Sequence, residues 1–338
     1  MSGGVDSAVA ARLMQQQGFD CHGGTMLLWD TDPHFSADAQ AVCNLLGIPF
    51  HVLDASAQFR REVVEPFIRA YEEGLTPNPC YLCNQTLKFS WFLDRALETG
   101  CDCIATGHYA RLVREGGRTL LYSAPDKSKD QSYFLAGLNQ HQLSHSYFPL
   151  GDLTKDQVRA IAEEQGFCNA KKKDSQDICF IPDGDYKAFM ERYTGKSYPA
   201  GHFLDCSGKI VGCHNGAVGY TLGQRKGLGL AMGAPVYVCG KDMQANTVTV
   251  GPEHTLFATT VFARKSNFIP FDTLTAPLSV TAKARSRHAP QPATVYPEDS
   301  GCIRVEFEQP QRAVTPGQAI VLYDGDLVIG SATITSAK

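Results

Sequence analysis

The stretch "MSGGVDSAVAARL" at the beginning of the chain is the feature that most constrains the fold. Gly3 and Gly4 allow the backbone to turn tightly and to approach an anion. Asp6 or Ser7 then stands where it can cap a helix that ends at Gly18. The free amides at the start of such a helix bind phosphate oxygens. No lysine follows at the spacing of the Walker pattern, so transfer of a terminal phosphate is not favoured.

No strand pattern precedes this turn, although a hydrophobic strand normally delivers such a loop to a sheet. We therefore expect that the first strand of the domain is missing. Met1 to Ser7 would then lack the segment that pins them to the sheet. A basic start followed by a long apolar core is also absent, so the pattern of a signal peptide is not found.

Composition limits the class of protein. A chain of 338 residues with 43% hydrophobic content can bury two or three cores, and no apolar run is long enough to span a bilayer. The net charge of -4 gives no global sign of nucleic-acid binding, so such binding must rest on local patches. Twelve cysteines without a secretion signal indicate a reducing compartment. We expect a cytoplasmic protein that does not bind membranes.

The first part of the chain alternates strand and helix patterns. "CHGGTMLLW" and "IPFHVLD" predict strands, "DAQAVCNLLG" predicts a helix that ends at Gly47, and "CDCIATGHY" predicts a strand that runs into a loop. A further helix face is marked by Phe59, Val63, Phe67 and Ala70. Such alternation is typical of a parallel sheet covered by helices, with ligands at the carboxyl ends of the strands.

The pattern changes in the second part. Thr154 to Gln165 predicts a capped helix, and "DYKAFMERY" predicts a second, short one. From about Pro199 the chain consists of short β-rich runs separated by turn residues, which favours an all-β barrel. The sequence therefore predicts an α/β catalytic domain at 1–147, a small central linking domain at 148–203 and a C-terminal β-barrel at 204–338.

The stretch "GLTPNPCYLCNQTLKF" is the second informative feature. Its prolines predict that Cys80 and Cys83 lie on a loop that leads into a helix beginning near Asn84. A thiol near a helix N-terminus is stabilised as the thiolate, which is a nucleophile or a metal ligand. An alternative is a structural zinc site, because Cys101 and Cys103 complete a spacing like that of a zinc ribbon.

A third cysteine, Cys179, stands in "KKKDSQDICFI". The preceding lysines, Lys171 to Lys173, lower the pKa of a thiol and attract phosphodiesters. Taken alone, Cys179 would be interpreted as a buried apolar residue of a strand. Taken together with the Cys80 and Cys83 loop, it is a candidate partner thiol.

Six blocks together resemble one family. SGGVDS, TPNPCYLCN, ATGHY, KDQSYFL, DSQDICFI and TLGQRKGLGL stand in the order found in the MnmA (TrmU) family of tRNA-specific 2-thiouridylases, within the PP-loop ATP pyrophosphatases. The resemblance implies a PP-loop domain (adenine nucleotide alpha hydrolase-like), a small central domain and a C-terminal β-barrel. It also implies ATP-dependent replacement of the C2 oxygen of a wobble uridine in tRNA by sulfur.

The resemblance also implies roles for individual residues. ATP would be bound by Ser2, Gly3, Gly4, Val5, Asp6 and Ser7, with Met26 and Gly107 at the adenosine. Cys83 matches the nucleophile and Cys179 the persulfide cysteine, while Asp6 and Cys80 join them as catalytic candidates. The candidate tRNA contacts are Asn78, Pro79, Cys80, His108, Lys129, Asp130, Gln131, Arg285, Ser286 and Gln318.

The implied reaction explains why these parts occur together. A uracil oxygen is a poor leaving group, and transfer of AMP to it creates one that departs as a phosphate monoester. The reaction requires ATP, Mg2+, a flipped base and a sulfur donor, which is a cysteine desulfurase, a sulfur-relay protein or sulfide. Cys83 and Cys179 fit a pair in which one carries sulfur as a persulfide and the other helps to release it.

Alternatives remain open at this point. Cys80, Cys83 and Cys179 are also candidate ligands of a four-iron four-sulfur cluster with one open iron. The rival functions are another PP-loop ligase, such as argininosuccinate synthetase, and a non-catalytic RNA-binding metalloprotein. His108 is equally suited to packing within a loop. The alternation of Lys283, Arg285 and Arg287 also fits a solvated strand face.

Overall fold

The computed structural model describes residues 1–29, 36–172 and 178–338. The helices are α1 (Val5–Gln16), α2 (Ala37–Leu46), α3 (Ser56–Phe59), α4 (Glu65–Glu72), α5 (Pro79–Cys83), α6 (Phe92–Glu98), α7 (Ser132–Leu135), α8 (Gln140–Ser144), α9 (Lys155–Glu164) and α10 (Tyr186–Thr194). Two π-helical segments, Arg60–Val64 and Asn84–Trp91, join α3 to α4 and α5 to α6. Within the described part, no helix combines the length and apolar character needed to cross a bilayer.

The strands fall into an α/β part and a β part. The α/β part contains β1 (Gly23–Leu27), β2 (Phe50–Asp54), β3 (Ile104–Ala105), β4 (Ala110–Glu115), β5 (Arg118–Ser123) and β6 (Ser146–Tyr147). The β part contains β7 (Gly201–Leu204), β8 (Ile210–His214), β9 (Tyr237–Asp242), β10 (Thr247–Gly251), β11 (Phe257–Phe268), β12 (Leu278–Lys283), β13 (Gln291–Pro297), β14 (Ile303–Arg312), β15 (Ala319–Asp324) and β16 (Leu327–Ala337).

Local sequence signals account for several helix ends. Thr154 caps α9 in a capping box with Gln157, as the sequence predicts. Gly47 ends α2 in the left-handed conformation, with φ of 67°, and Asp185 caps α10. The predicted cap of α1 is wrong, because Gly4 is the N-cap residue and no side chain caps this helix.

In the α/β part, the parallel strands among the described residues form two separate pairs. β1 pairs with β2 and β3 with β6, and no hydrogen bonds join β1 to β3. The main-chain nitrogen of Met1 donates to Gly24 O, and Thr25 Oγ1 donates to Met1 O at 2.6 Å. These bonds hold the start of the chain beside β1. Because α1 begins at Val5, the chain leaves this strand edge at once and does not bridge the two pairs.

The β part contains two sheets. Strands β7 to β10 form a four-stranded sheet in the order β8-β7-β10-β9. Strands β11 to β16 form a six-stranded barrel that closes through β11 and β16, and the hairpin β4-β5 extends the same sheet from the α/β part. The predicted α/β domain, small middle region and C-terminal barrel are confirmed as a fold class. The limits at 147/148 and 203/204 stay a prediction.

The barrel is packed directly onto the α/β part. One hydrophobic cluster combines residues of both, including Leu121, Tyr133 and Leu135 with Ile269 and Val321. The hydroxyl of Tyr133, which is buried, donates to Ala319 O at 2.7 Å. Burying this apolar surface stabilises the pairing of the two parts at about 25 cal/mol per Å². The barrel is therefore a structural support for the first domain as well as a domain of its own.

A barrel turn, Thr315 to Gln318, is hydrogen-bonded to the segment of the α/β part that precedes α5. Thr76 N donates to Pro316 O at 2.9 Å, and Gln318 Nε2 donates to Thr76 O at 2.8 Å. Gly317 has φ of 91°, and a Cβ there would lie 3.0 Å from Thr76 N and from the Cβ of Leu75. Only glycine accepts both this conformation and this approach without strain.

This contact makes a prediction about stability. Gly317→Ala should lower the free energy of unfolding through left-handed strain of about 1–2 kcal/mol and crowding of about 1–3 kcal/mol. Gly325→Ala is the matched control, because Gly325 also has positive φ, 56°, but no atom lies within 4 Å of its added Cβ. Urea unfolding of both variants measures the difference. Equal losses would mean that the turn is not docked against Thr76.

Candidate active site

The loop before α1 has the geometry of an anion cradle. Gly3 is left-handed, with φ of 69°, and Gly4 is extended, so the first amides of α1 are directed out of the loop. Ser7 Oγ donates to Gly4 O at 3.0 Å, and Ser2 N donates to Ser7 Oγ at 3.1 Å. Val5 is buried beneath the loop. The loop is therefore held by its own serines, and its ATP-binding role stays a prediction.

Asp6 is engaged by two residues far along the chain. Lys155 Nζ donates to both carboxylate oxygens of Asp6, at 2.8 and 3.0 Å, and Tyr109 Oη donates to Oδ1 at 2.8 Å. Lys155 is the first residue of α9 and is 7% exposed. Burying a lysine is costly unless it is paired, so this ion pair fixes α9 against α1. The cation that the sequence lacks near the loop is thus supplied from α9.

Gly107 lies near the loop before α1, and Met26 lies near the cysteines. A Cβ on Gly107 would lie 2.7 to 2.9 Å from backbone and Cβ atoms of Asp6, so the chain after β3 touches the start of α1. Met26, on β1, packs against a hydrophobic cluster that includes Cys83 and Leu87. Of the two residues predicted at the adenosine, Gly107 therefore adjoins the loop and Met26 adjoins the cluster that contains Cys83.

The segment Lys129 to Gln131 is tied to Tyr109. Tyr109 N donates to Gln131 Oε1, and Gln131 N donates to Tyr109 O, both at 2.9 Å. Asp130 accepts hydrogen bonds from Ala124 N and from Ser132. Because Tyr109 also contacts Asp6, Gln131 has a structural role at the loop. The contacts of Lys129, Asp130 and Gln131 with tRNA stay a prediction.

The cysteine segment folds differently from the sequence prediction. Asn78 caps α5, accepting from Tyr81 N at 3.1 Å, and Pro79 is its first residue. Proline fits the first helical position, where its missing N–H has no intrahelical partner. The helix therefore begins before Cys80 rather than near Asn84, and Cys83 is its last residue.

Cys80, Cys83 and Cys179 face one another closely enough to influence each other's ionisation. Burial raises the pKa of Cys83 to about 11, with contributions from Cys179 and Cys80, while the charge of Lys88 opposes the rise. Cys80 and Cys179 are exposed in part, yet desolvation by the surrounding protein raises the pKa of both thiols. The predicted stabilisation of thiolates is therefore wrong here, because desolvation outweighs the start of a five-residue helix.

The described residues give no support to a metal centre. Within 1–29, 36–172 and 178–338, no three His, Cys, Asp or Glu side chains are grouped so that they can hold a metal ion. The strand expected at Cys101 and Cys103 is also shorter than predicted, since β3 begins at Ile104. Burial, the charge of Asp102 and the neighbouring thiols of Cys101 and Cys21 raise the pKa of Cys103, and no thiol of α5 contributes to this rise. These thiols do not form the zinc site considered above.

His108 packs between aromatic rings. Its ring centroid lies 5.6 Å from that of Phe89 and 5.9 Å from that of Phe148, and Nδ1 is 2.8 Å from Thr106 Oγ1. Burial, reinforced by Lys88, lowers the pKa of His108 well below its usual range. A neutral, packed histidine fits the alternative of a loop-packing role, and its contact with tRNA stays a prediction.

The barrel residues lie beside the cysteine segment. Gln318 Nε2 donates to Thr76 O and to Pro77 O, immediately before Asn78. Arg285 donates to Leu222 O at 3.0 Å and to Thr315 Oγ1, so it joins the TLGQ loop to the barrel turn. These contacts do not fit the solvated strand face considered above for Arg285.

The structure also shows where Ser286 and two of the three lysines at 171–173 lie. Ser286 is half-buried in the turn after Arg285. Lys172 Nζ contacts Asp38 at 2.6 Å and lies 3.4 Å from Gly3 O, and Lys171 is exposed. Lys173 lies outside the described residues. Lys172 therefore lies beside the loop before α1, which we call the nucleotide loop. The sequence pattern predicts phosphodiester attraction by this lysine run and does not predict a contact with that loop.

Sequence reasoning missed two lysines. Lys155 is recognisable only as the first residue of a capped helix, and Lys88 only as a cation after Cys83. Neither position carries a local signal that it reaches Asp6 or the thiols. Their roles depend on which elements pack together, which the chain pattern does not specify.

Comparisons with known proteins agree with this arrangement. Three family models match in order: tRNA methyl transferase HUP domain at residues 1–183, tRNA methyl transferase PRC-barrel domain at 187–252, and aminomethyltransferase beta-barrel domain at 258–334. The chain is 44% identical to the tRNA-specific 2-thiouridylase MnmA of Clostridium acetobutylicum over 346 residues, covering 99% of this chain and 98% of the relative. The same-named protein of Acetivibrio thermocellus is 45% identical over 349 residues, covering 99% and 97%.

The contact of Gly107 with Asp6 makes a prediction about the loop. Gly107→Ala should displace the loop and weaken binding of a fluorescent ATP analogue by about tenfold or more, because the new Cβ meets backbone atoms rather than a flexible side chain. Gly240→Ala is the control, since the nearest atoms to its added Cβ lie at 3.5 and 3.6 Å, an ordinary contact. Unchanged affinity in Gly107→Ala would show that nucleotide does not bind at this loop.

Proposed function

The chain belongs to the MnmA family of tRNA-specific 2-thiouridylases, and on that premise we propose that it replaces the C2 oxygen of a wobble uridine in tRNA with sulfur, using ATP. The sequence resemblance to this family is confirmed by relatives that cover nearly the whole chain. The protein is thus an enzyme, a tRNA-uridine 2-sulfurtransferase. Its work on tRNA places it in the cytoplasm in this proposal.

One observation supports this function most. A chain of contacts links the loop before α1 to the cysteine helix, because Gly107 packs against Asp6 and the next residue, His108, packs against Phe89, which follows Cys83 by six residues. A site that activates an oxygen with AMP and then replaces it needs phosphate-binding and sulfur-bearing groups side by side. Another PP-loop ligase that uses a nitrogen donor has no use for the thiols.

The proposed reaction has two steps. The C2 oxygen of uridine attacks the α-phosphorus of ATP, and pyrophosphate leaves. The terminal sulfur of a persulfide on Cys179 then attacks C2, and the C2–O bond breaks with AMP as the leaving group. Cys83 finally attacks Sγ of Cys179, which leaves the sulfur on uridine and forms a Cys83–Cys179 disulfide. A thiol reductant reduces this disulfide, and a protein persulfide then transfers its outer sulfur to the thiol of Cys179 while its own cysteine leaves as a thiol. Hydrosulfide can instead attack Sγ of Cys179 in the disulfide, which gives the Cys179 persulfide and releases the Cys83 thiol without a reductant.

Residues of this chain support the first step as follows. The amides after Gly4 and the ammonium of Lys155 stand where pyrophosphate would be bound. Mg2+ enters with ATP in this proposal. Asp6 remains the nearest candidate carboxylate for it, although Lys155 already contacts both of its oxygens.

The iron–sulfur alternative fits less well. The three thiols are all among the described residues, and no group of three metal ligands is found there. The persulfide relay between Cys83 and Cys179 therefore carries the proposal. Methyl transfer, which two family-model descriptions mention, gives no role to these thiols.

The test combines product analysis with cysteine variants. Wild-type protein, ATP, unmodified tRNA and a persulfide donor should yield 2-thiouridine, detected by nucleoside mass spectrometry. Cys83→Ser and Cys179→Ser should each lower the rate by about 100-fold or more, because each removes a sulfur that the relay needs. Cys168→Ser, at an exposed cysteine, is the matched control and should react normally.

The same preparations distinguish the two sulfur mechanisms. Anaerobically reconstituted wild type should thiolate tRNA without bound iron. Activity that requires iron and is lost in Cys80→Asp would contradict the relay. Normal thiolation by both Cys83→Ser and Cys179→Ser would contradict the whole assignment.

A further inference from the structure

Lys88 is a cation of the site to which no role has been assigned. It lies in the π-helical segment Asn84–Trp91, five residues after Cys83. Because a π-helical turn brings residue i beside residue i+5, Lys88 lies one turn beyond Cys83 on the same side of the helix. Leu87 and Phe89, its neighbours in sequence, are fully buried. The backbone that carries Lys88 is therefore fixed.

Lys88 lies near the thiols and near His108, whose preceding residue, Gly107, packs against Asp6. Its positive charge acts to lower the pKa of Cys80, Cys83, Cys179 and His108. The next residue, Phe89, contacts the ring of His108. Gly107, which precedes that histidine, packs against Asp6. A group bound between the loop and the cysteine helix must pass close to Lys88.

Lys88 has no carboxylate partner among the residues that the structure describes. Within residues 1–29, 36–172 and 178–338, no carboxylate forms an ion pair with it, although it is half-buried. Lys155 differs in this respect, because Asp6 neutralises it. A partly desolvated cation without a partner favours a substrate anion that arrives at this point.

We propose that Lys88 stabilises the phosphate of AMP as it leaves C2 of the activated uridine. This inference rests on the proposed function. When sulfur attacks C2, the electron pair of the C2–O bond stays on the phosphate oxygen, and the phosphate gains a second negative charge. An ammonium group in a partly buried site stabilises that charge more strongly than one in water. Lys88 therefore acts in the second step, after pyrophosphate has left.

The test separates the two steps of the reaction. Lys88→Met and Lys88→Arg are compared with wild type and with Lys209→Met, which removes an exposed lysine of the β7–β8 turn. Pyrophosphate, adenylated tRNA and 2-thiouridine are measured in quenched time courses. Lys88→Met should release the first equivalent of pyrophosphate within about twofold of the wild-type rate. It should then accumulate adenylated tRNA and form 2-thiouridine about 100-fold more slowly.

Two further arms identify the cause. Lys88→Arg keeps the charge and should retain most of the thiolation rate. Added hydrosulfide supplies a strong sulfur nucleophile that needs no enzyme thiol. Hydrosulfide should not restore Lys88→Met, because the defect lies in the leaving group. Rescue by hydrosulfide would show instead that Lys88 activates the sulfur, and the proposal would be wrong.

The other outcomes are equally decisive. If Lys88→Met slows pyrophosphate release and thiolation to the same extent, Lys88 serves activation or folding and not departure of AMP. An unchanged thiolation rate would also overturn the role. Wild-type protein that makes no 2-thiouridine would contradict the proposed function itself. Normal wild-type thiolation with either of the first two results contradicts only the role of Lys88.

Discussion

The barrel turn Thr315 to Gln318 holds the segment from which the cysteine helix begins. Gln318 Nε2 donates to Thr76 O and Pro77 O, and Pro316 O accepts from Thr76 N. The segment is rich in proline and has few hydrogen bonds of its own, so these contacts fix the position in space of the first turn of α5. The C-terminal barrel thereby positions Cys83 from a distance of more than two hundred residues along the chain. This dependence explains why one chain carries both parts.

A second long-range contact orders the opposite side of the site. The Asp6–Lys155 ion pair joins α1 to α9, and Tyr109 links the same carboxylate to Gln131. Removing the charge of Lys155 would take from Asp6 the ammonium group that contacts both of its carboxylate oxygens, which is costly at a partly buried position. The nucleotide loop and the cysteine helix are thus each held by residues distant in sequence. Lys88 is close enough to both Cys83 and His108 for its charge to act on the pKa of each.

Sequence patterns predicted what local chemistry determines. The capping box at Thr154 and the left-handed Gly47 are local, and both predictions are confirmed. The ionisation of Cys83 was predicted wrongly, because its pKa depends on burial by distant segments. Asp6 and Lys155 are 149 residues apart, and no local sequence pattern indicates that they pair. Motifs therefore identified the reaction class, while the supporting contacts required the folded chain.

The central claim is that AMP departs with the oxygen that sulfur replaces. The most direct measurement follows that atom, using tRNA that carries oxygen-18 at C2 of the wobble uridine. The enzyme is supplied with this tRNA, ATP and a sulfur donor, and mass spectrometry analyses the AMP and the nucleosides. We expect AMP that contains one oxygen-18 atom for each 2-thiouridine formed. Normal 2-thiouridine accompanied by AMP without the label would contradict activation of the C2 oxygen at this site.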